Sequence, residues 1–282
     1  MNDRPAPLIS IIVAVFNGKA TLQQCIDSVA QQTWPNRELI VIDGGSTDGT
    51  VELLNANREK IAYWISEPDR GIFNAWNKGL AHANGEWICF LGADDHLWDA
   101  RVLERIAAQL DRIPPGIRVA YGQIMMLGAE GQQLYTVGAP WEEAGELFKQ
   151  YMSIPHPAVM HRKSLFERHG KFDESFHIAG DYEFLLRELK TGVAVFIPDI
   201  IVTGMRAGGI SMHSGNALRA LRELGRAQRM HGQLLPGRFL RKAMFREAMR
   251  LLLWKVLGDR SARKLLDLRR RLRGLPPHWT KT

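Results

Sequence analysis

Cysteine is nearly missing: only Cys25 and Cys89 occur in 282 residues, each inside an apolar periodic segment. That excludes a disulfide scaffold, and their spacing excludes a zinc site built on paired cysteines. No stretch approaches the roughly 18 consecutive apolar residues that a membrane-spanning helix requires. The apolar run Leu8–Phe16 follows Asp3 and two prolines and precedes no small-residue cleavage site, so it reads as a strand and not as a signal peptide. The glycine-rich run Gly44–Thr50 lacks the Gly-Lys-Ser/Thr ending of a P-loop and the GxGxxG spacing of a dinucleotide fold. A tight turn in which Ser46 or Asp48 caps the next helix is expected there instead.

Apolar residues are plentiful, at 45% of the chain, enough for one sizeable α/β domain with a smaller appendage. Charge is distributed unevenly. Residues 238–282 carry 14 Lys+Arg and 3 Asp+Glu, against 23 and 27 in the remainder, so the net +7 conceals a mildly acidic body and a basic tail. This argues against nucleic acid as a partner of the body and places any polyanion contact at the C-terminus. There, Leu240, Met244, Leu251 and Trp254 share a helical pattern with Arg241, Arg246 and Arg250, which reads as a solvated basic helix, a nucleic-acid arm or an amphipathic helix lying on anionic lipid; the apolar Leu251–Trp254 run flanked by arginines favours the last.

Along the first hundred residues, β-rich runs alternate with helical patterns. Leu8–Val15, Glu38–Asp43, Ala62–Ser66 and Glu86–Leu91 read as strands. Between them, Leu22, Cys25, Ile26 and Val29 mark a helix with a Thr21–Gln24 capping box, and Ile72, Trp76 and Leu80 mark another before Asn84-Gly85. Leu103, Ile106, Leu110 and Ile113 form a third, ending at Pro114-Pro115. Later come strand-like Val119–Leu127, Ala158–His161 and Val193–Ile197, and a helix through Tyr182, Leu185, Leu186 and Leu189. Strand–helix alternation implies crossover units and a parallel sheet.

Ligands of an open parallel sheet bind beyond the carboxyl ends of its strands. Three of those ends carry aspartate: Asp43, Asp69 and the pair Asp94-Asp95. Carboxylates converging on one rim suit a sugar nucleotide and a hard divalent cation, which prefers oxygen ligands and bridges phosphates.

At this point the chain resembles the family 2 glycosyltransferases. Four blocks carry the likeness in order, Ser10–Asn17, Glu38–Thr50, Ser66–Gly79 and Phe90–Asp95, and Ala179–Glu183 adds a fifth. Val41–Thr50 and Gly208-Gly-Ile-Ser211 are similar to bacterial exopolysaccharide enzymes of the colanic-acid type. The resemblance implies a GT-A (Rossmann-like) α/β fold, with a mostly parallel central sheet flanked by helices and a basic helical C-terminal extension. Residues 1–215 would form the catalytic domain, with 1–115 binding the donor and 116–215 the acceptor, and 216–282 the extension.

It further implies an inverting transfer from a nucleotide-diphosphate sugar to a hydroxyl of a saccharide or lipid-linked saccharide, with magnesium or manganese as cofactor, by a cytoplasmic enzyme expected to sit peripherally on the inner face of the plasma membrane. By position, Phe16 would stack on the nucleotide base, Asp43 would accept from its ring N–H, and Asp69 with Arg70 would lie along the nucleotide. Asp94 would meet the ribose or sugar, and Asp95 would hold the metal. Relatives commonly carry an acidic residue where Gly92 stands and often aspartate where Gly44 stands, so this site has fewer carboxylates. Asp181 would be the catalytic base, and inversion does need one carboxylate to take the acceptor's proton. The alternatives are an N-cap role for Asp181, or Glu183 as the base.

His156, framed by two prolines, would border the acceptor cleft, and His213 would stand near the metal. Trp34, Trp64, Trp76 and Trp87 read as core, whereas Trp141 and Tyr151 are the candidates for stacking on a saccharide. A catalytically silent nucleotide-sugar-binding subunit is the rival reading.

Overall fold

The computed structural model describes residues 6–128, 130–209, 214–233, 237–272 and 274. In chain order the elements begin with β1 (Ile9–Val15), α1 (Lys19–Ala30), β2 (Arg37–Asp43), α2 (Thr50–Ala56), β3 (Tyr63–Ser66), α3 (Ile72–Leu80) and β4 (Trp87–Gly92). Next come β5 (His96–Leu97), α4 (Val102–Leu110), β6 (Val119–Leu127), β7 (Gln133–Val137), α5 (Trp141–Phe148), β8 (Val159–Arg162) and α6 (Lys163–His169). The chain continues with α7 (Gly180–Leu189), β9 (Val195–Arg206), α8 (Ala217–Met230) and α9 (Arg238–Arg271). Gly258, at φ 70°, interrupts α9 with a kink.

Among the described residues, nine strands form one sheet in the order β3-β2-β1-β4-β8-β6-β9-β5, with β7 also paired to β6. The first four are parallel, as crossover helices require. Beyond β4 the sheet becomes mixed: β8 is antiparallel to both β4 and β6, while β6 and β9 are parallel. The departure from parallel order falls where the strand–helix alternation of the sequence loosens.

Strand alternation divides the core between two faces. Ile11, Val13, Cys89 and Leu91 pack with α1 and α4 on one side. Ile12, Ile88 and Phe90 pack with α3 and α7 on the other, where Phe73, Trp76, Tyr182 and Leu185 are buried. Helices on both faces explain why β1 and β4 read as nearly continuous apolar runs. Helix α8 joins the second cluster through Leu224 and Ala227.

One local expectation fails. The Thr21–Gln24 capping box does not form, because α1 begins at Lys19 after Gly18 and has no side-chain N-cap bond of its own. Asp48 and Thr50 of the glycine-rich turn take that role, accepting from the Lys19 and Gly18 N–H groups at 3.0 Å each. A tertiary acceptor replaces the local one. Asp48 also accepts the Thr50 N–H at the start of α2, as expected of a capping turn.

Candidate active site

The four parallel strands end level with one another: Val15 pairs with Asp43, Ala14 with Gly92, and Asp43 with Ser66. Phe16, Gly44, Glu67–Asp69 and Ala93–Asp95 therefore follow on one rim. Phe16 projects from it with 67% of its surface exposed. Its neighbour Asn17 adopts a left-handed φ of 50° and is bonded to the glycine turn twice, through its N–H to Ser46 Oγ and through Oδ1 to the Thr47 N–H. The ring thus stands on a fixed turn.

Asp43 is fully buried and heavily bonded. The Ser46 hydroxyl donates to Oδ1, while Gly45 N–H, Ser46 N–H and the Ser66 hydroxyl donate to Oδ2 at 3.1, 2.9 and 2.6 Å. This carboxylate ties the ends of β2 and β3 to the turn between them, and any contact with a base would be additional to those four bonds.

Asp69 accepts the Gly71 N–H through Oδ1, and its Oδ2 lies 2.6 Å from where a Cβ on Gly44 would stand. The same Cβ position is 3.4 Å from the Phe16 ring. The missing side chain at Gly44 is therefore filled by the Asp69 carboxylate. Arg70 reaches Glu174 at 2.5 Å, and Asn74 and Asn77 of α3 bond to the same carboxylate, linking the donor-side rim to the loop ahead of α7.

Gly92 is closely covered. A Cβ there would lie 2.7 Å from Asp94 Oδ1 and 3.0 Å from Asp95 Oδ2. Asp95 is 5% exposed and accepts the N–H groups of Gly92 and Arg206, each at 3.3 Å. Burial first, and then repulsion from Asp94, push its carboxyl up to about 7. Among the described residues no group of three or more His, Cys, Asp or Glu side chains could hold a metal. What exists is a pair of hard oxygen donors, one of them buried and reluctant to carry an uncompensated charge. That set fits a divalent cation of the kind held by one or two carboxylates and completed by phosphate oxygens and water.

Asp181 lies in the first turn of α7. The N-cap reading fails, because Ala179 holds the cap position and Asp181 is inside the helix. The residue is half-buried, and its carboxyl is shielded by the surrounding protein. Oδ1 accepts the Tyr182 N–H at 2.8 Å. Burial raises the carboxyl to about 6, against that hydrogen bond and with some help from the charge of Glu223. Next to it, Gly180 packs on Phe73 of α3, where a Cβ would come within 2.7 Å of the ring. This contact brings the start of α7 to the turn that carries Asp69. Glu183, the alternative base, is committed elsewhere: it is buried, paired with Arg187, and bonded to His231 Nε2 at 2.9 Å.

His156 is 7% exposed and stacks on Trp76, with ring centroids 5.0 Å apart. Burial, and then neighbouring His161, drive its pKa well down, which favours the neutral imidazole. His213 lies outside the described residues. Trp76 and Trp87 are buried as expected, Trp34 and Trp64 partly so. Trp141 packs on Phe148 and Tyr151 on Phe239, which gives both saccharide-stacking candidates protein partners. A pocket of 370 Å³ along α3 is lined by Tyr63, Glu67, Asn74, His82, Lys171 and Glu174 among others; it touches the rim at Glu67, and Asp43, Asp95 and Asp181 do not line it.

Three residues that matter here escaped the sequence reading: Glu174, Arg206 and Glu223. Glu223 left one signal, being the only acid in α8 among Arg219, Arg222, Arg226 and Arg229.

Known proteins resemble this chain in sequence and in fold. Residues 10–166 match the model of glycosyl transferase family 2. A PGL/p-HBAD biosynthesis glycosyltransferase of Mycobacterium bovis is 32% identical over 211 residues, which cover 73% of this chain and 80% of that protein. An uncharacterized glycosyltransferase of Mycobacterium tuberculosis is 35% identical, with 64% and 69% covered. Among solved structures, residues 1–349 of S. aureus TarS in complex with UDP-GlcNAc align with a TM-score of 0.61 at 20% identity, covering 78% of this chain and 66% of that one. The chain spans 39% of a longer TarS chain. The mannosyltransferase PcManGT from Pyrobaculum calidifontis, in complex with GDP-Man and Mn2+, aligns with a TM-score of 0.61 at 17% identity, covering 95% and 81%. At those identities the structures speak for the shared GT-A fold. The family model and the mycobacterial relative go further, and on them the chain belongs to glycosyl transferase family 2.

Proposed function

We propose that this glycosyltransferase moves a sugar, with inversion, from a nucleotide-diphosphate donor to a hydroxyl of a saccharide or lipid-linked saccharide in surface polysaccharide synthesis. The observation that carries the reading is Asp181, a half-buried carboxyl pushed up to about 6 at the start of α7, where Gly180 packs on Phe73 of the helix that follows Asp69. Phe16 would stack on the base, and Asp69 and Asp94 would face the ribose and sugar. Asp181 takes the proton of the acceptor hydroxyl as its oxygen bonds to the anomeric carbon. The bond from that carbon to the diphosphate oxygen breaks on the opposite face, and the electron pair leaves with the nucleoside diphosphate. Asp95, with Asp94, would hold magnesium or manganese, which supplies charge neutralisation for the departing diphosphate. The TarS and PcManGT complexes, with UDP-GlcNAc and with GDP-Man and Mn2+, support a donor and a metal of these classes.

The rival, a silent donor-binding subunit, draws on the two-carboxylate metal set. One experiment separates them: a panel of UDP-, GDP- and dTDP-sugars is incubated with the protein and manganese, and both thermal stabilisation and nucleoside diphosphate release are measured. The enzyme reading expects one donor to give both. Stabilisation without release by any donor sinks it in favour of the rival.

Among the described residues no helix is long and apolar enough to cross a membrane. For the tail, the proposal is a peripheral contact with anionic lipid at the inner face of the plasma membrane. Leu240 and Met244, expected on the lipid-facing side, pack on the core instead; the exposed stripe of α9 is Phe245, Met249, Leu252 and Val256, with Arg241 and Lys242 beside them. Flotation with anionic but not neutral vesicles is expected, and its loss on Phe245→Glu. Equal recovery from both vesicle types overturns the contact.

A further inference from the structure

The start of α7 has an unusual support. A helix leaves its first amides without intrahelical partners, and a side chain at the cap position commonly accepts from them. Here the cap residue is Ala179, which has no acceptor to offer. What α8 supplies instead acts on the segment just ahead of the helix. Glu223 Oε2 receives the N–H groups of Ile178, Ala179 and His177 at 2.8, 3.0 and 3.1 Å, and Oε1 lies 3.2 Å from the last of these. Three consecutive amides, those leading into α7, converge on one carboxylate.

We propose that Glu223 is a positioning residue of the acceptor half: by gripping these three amides it fixes the first turn of α7 and aims Asp181 at the incoming hydroxyl. The inference rests on the reading of Asp181 as the base. The turn is held from two sides, by Glu223 on α8 and by Phe73 of α3 against Gly180, with Asp181 next in the chain. A carboxylate suits this place better than a neutral acceptor, because negative charge at a helix N-terminus is favoured by the helix dipole.

Among the described residues, the ionisable groups that face Glu223 include Arg219, His177 and Asp181. Arg219, on the same helix, donates to Oε1 at 3.3 Å, and His177 Nδ1 stands 3.9 Å away. Arg226, one turn on, is turned toward Asp173 and Ser175. Burial works against the charge of Glu223, but the three amides and Arg219 outweigh it and hold the carboxyl below its usual range. Glu223 is therefore ionised while Asp181 titrates, and its field favours the protonated form of Asp181. The grip and the field act together, since a base that holds its proton more firmly removes one from an alcohol more effectively.

The test follows the Asp181 carboxyl directly, by NMR titration of the full-length protein labelled at aspartate carboxyls, with Asp181→Asn identifying the resonance. In Glu223→Gln the midpoint is expected at lower pH. The acid limb of donor hydrolysis should move with it, measured on whichever of UDP-glucose, UDP-N-acetylglucosamine or GDP-mannose is turned over. Turnover should fall about tenfold or more through misplacement of the base, with donor KM unchanged. A purely structural role would lower thermal stability and turnover while leaving the titration where it was, and that result overturns the proposal.

Arg219→Ala provides a second arm in case Glu223→Gln does not fold, because its half-exposed side chain can be removed without disturbing the core. Loss of this counter-charge should raise the Asp181 midpoint, and an unmoved or lowered one overturns the proposal independently. If Asp181→Asn retains full turnover, the base assignment itself is wrong. If it loses turnover while neither Glu223→Gln nor Arg219→Ala shifts the titration as expected, only the role of Glu223 fails.

Discussion

The donor-side rim gives its buried carboxylate, Asp43, four hydrogen-bond donors from the turn and strand beside it, whereas the start of α7 gives Asp181 the Tyr182 N–H and the facing charge of Glu223. A shielded carboxylate surrounded by donors is a fixed acceptor whose charge is compensated within the fold. One that is shielded but sparsely bonded resists ionisation and is ready to exchange a proton. The two regions also differ in what holds them. The turn after β2 is fastened by residues near in the chain or on adjacent strands, while the first turn of α7 depends on α3 and α8.

The largest expected effect comes from exchanging Asp181 for its neutral isostere. Asp181→Asn should lower turnover by about 10²- to 10⁴-fold, the range of a lost general base. Donor-induced thermal stabilisation should survive, and the melting temperature should not fall, since the amide removes a charge the site does not favour. In the parent protein, turnover should decline on the acid side of about pH 6, where Asp181 takes up its proton. The sign is fixed by the raised value: the base is competent above that pH and is progressively lost below it. A flat profile down to pH 4 would erase the distinction drawn between the two carboxylates.

Next in size is Asp95→Ala. The metal-stimulated part of donor turnover should drop by about a hundredfold, comparable to the loss of one electrostatic stabiliser of a departing charge. Turnover in the presence of chelator should be little changed between variant and parent. Undiminished metal stimulation would move the metal away from the Asp94–Asp95 pair.

Much of this rim was legible in the sequence, because strand ends can be read from apolar runs and their register follows from crossover topology. Leu8–Val15, Glu38–Asp43 and Val119–Leu127 were located to within a residue of β1, β2 and β6. Short or exposed elements were not. β5 has two residues, and β7 is largely exposed and carries no apolar alternation to detect. β9 extends to Arg206, well beyond Ile197, because Pro198 and Asp199 interrupt the pattern in mid-strand. At the site, residues acting from the same stretch of chain were found, and those acting across it were missed. A proline-framed histidine such as His156 reads as a loop group, and only tertiary packing reveals that the rings of Trp76 and Phe90 stack on it. Glu223 and Arg206 serve Asp181 and Asp95 from distant segments, a relation that sequence spacing does not encode.

The complement of Asp181→Asn is Asp43→Asn. Here the damage should fall on folding, by about 1–3 kcal/mol, because an amide offers one acceptor oxygen and directs an N–H group at donors already in place. Denaturant unfolding measures it. A loss of stability with the catalytic rate per folded molecule preserved would keep the two regions distinct, while the reverse pattern would make Asp43 a reacting group.

Phe16→Ala tests the same contrast at its weakest point. An aromatic ring with 67% of its surface exposed contributes little to the folded state, so its removal should change stability by less than about 0.5 kcal/mol. What it should change is the affinity for a nucleotide, since stacking of a base on an aromatic ring is worth about 1–3 kcal/mol by alanine substitution. At the lower end, suited to a ring covered on one face only, this is roughly a fivefold weaker nucleoside diphosphate in a calorimetric titration. Turnover at saturating donor should be unaffected, because the stack is the same before and during reaction and so favours ground and transition states equally. A fall in saturated turnover at unchanged affinity would instead place Phe16 with Asp181, on the reacting side of the molecule, and the rim would lose its base-stacking platform.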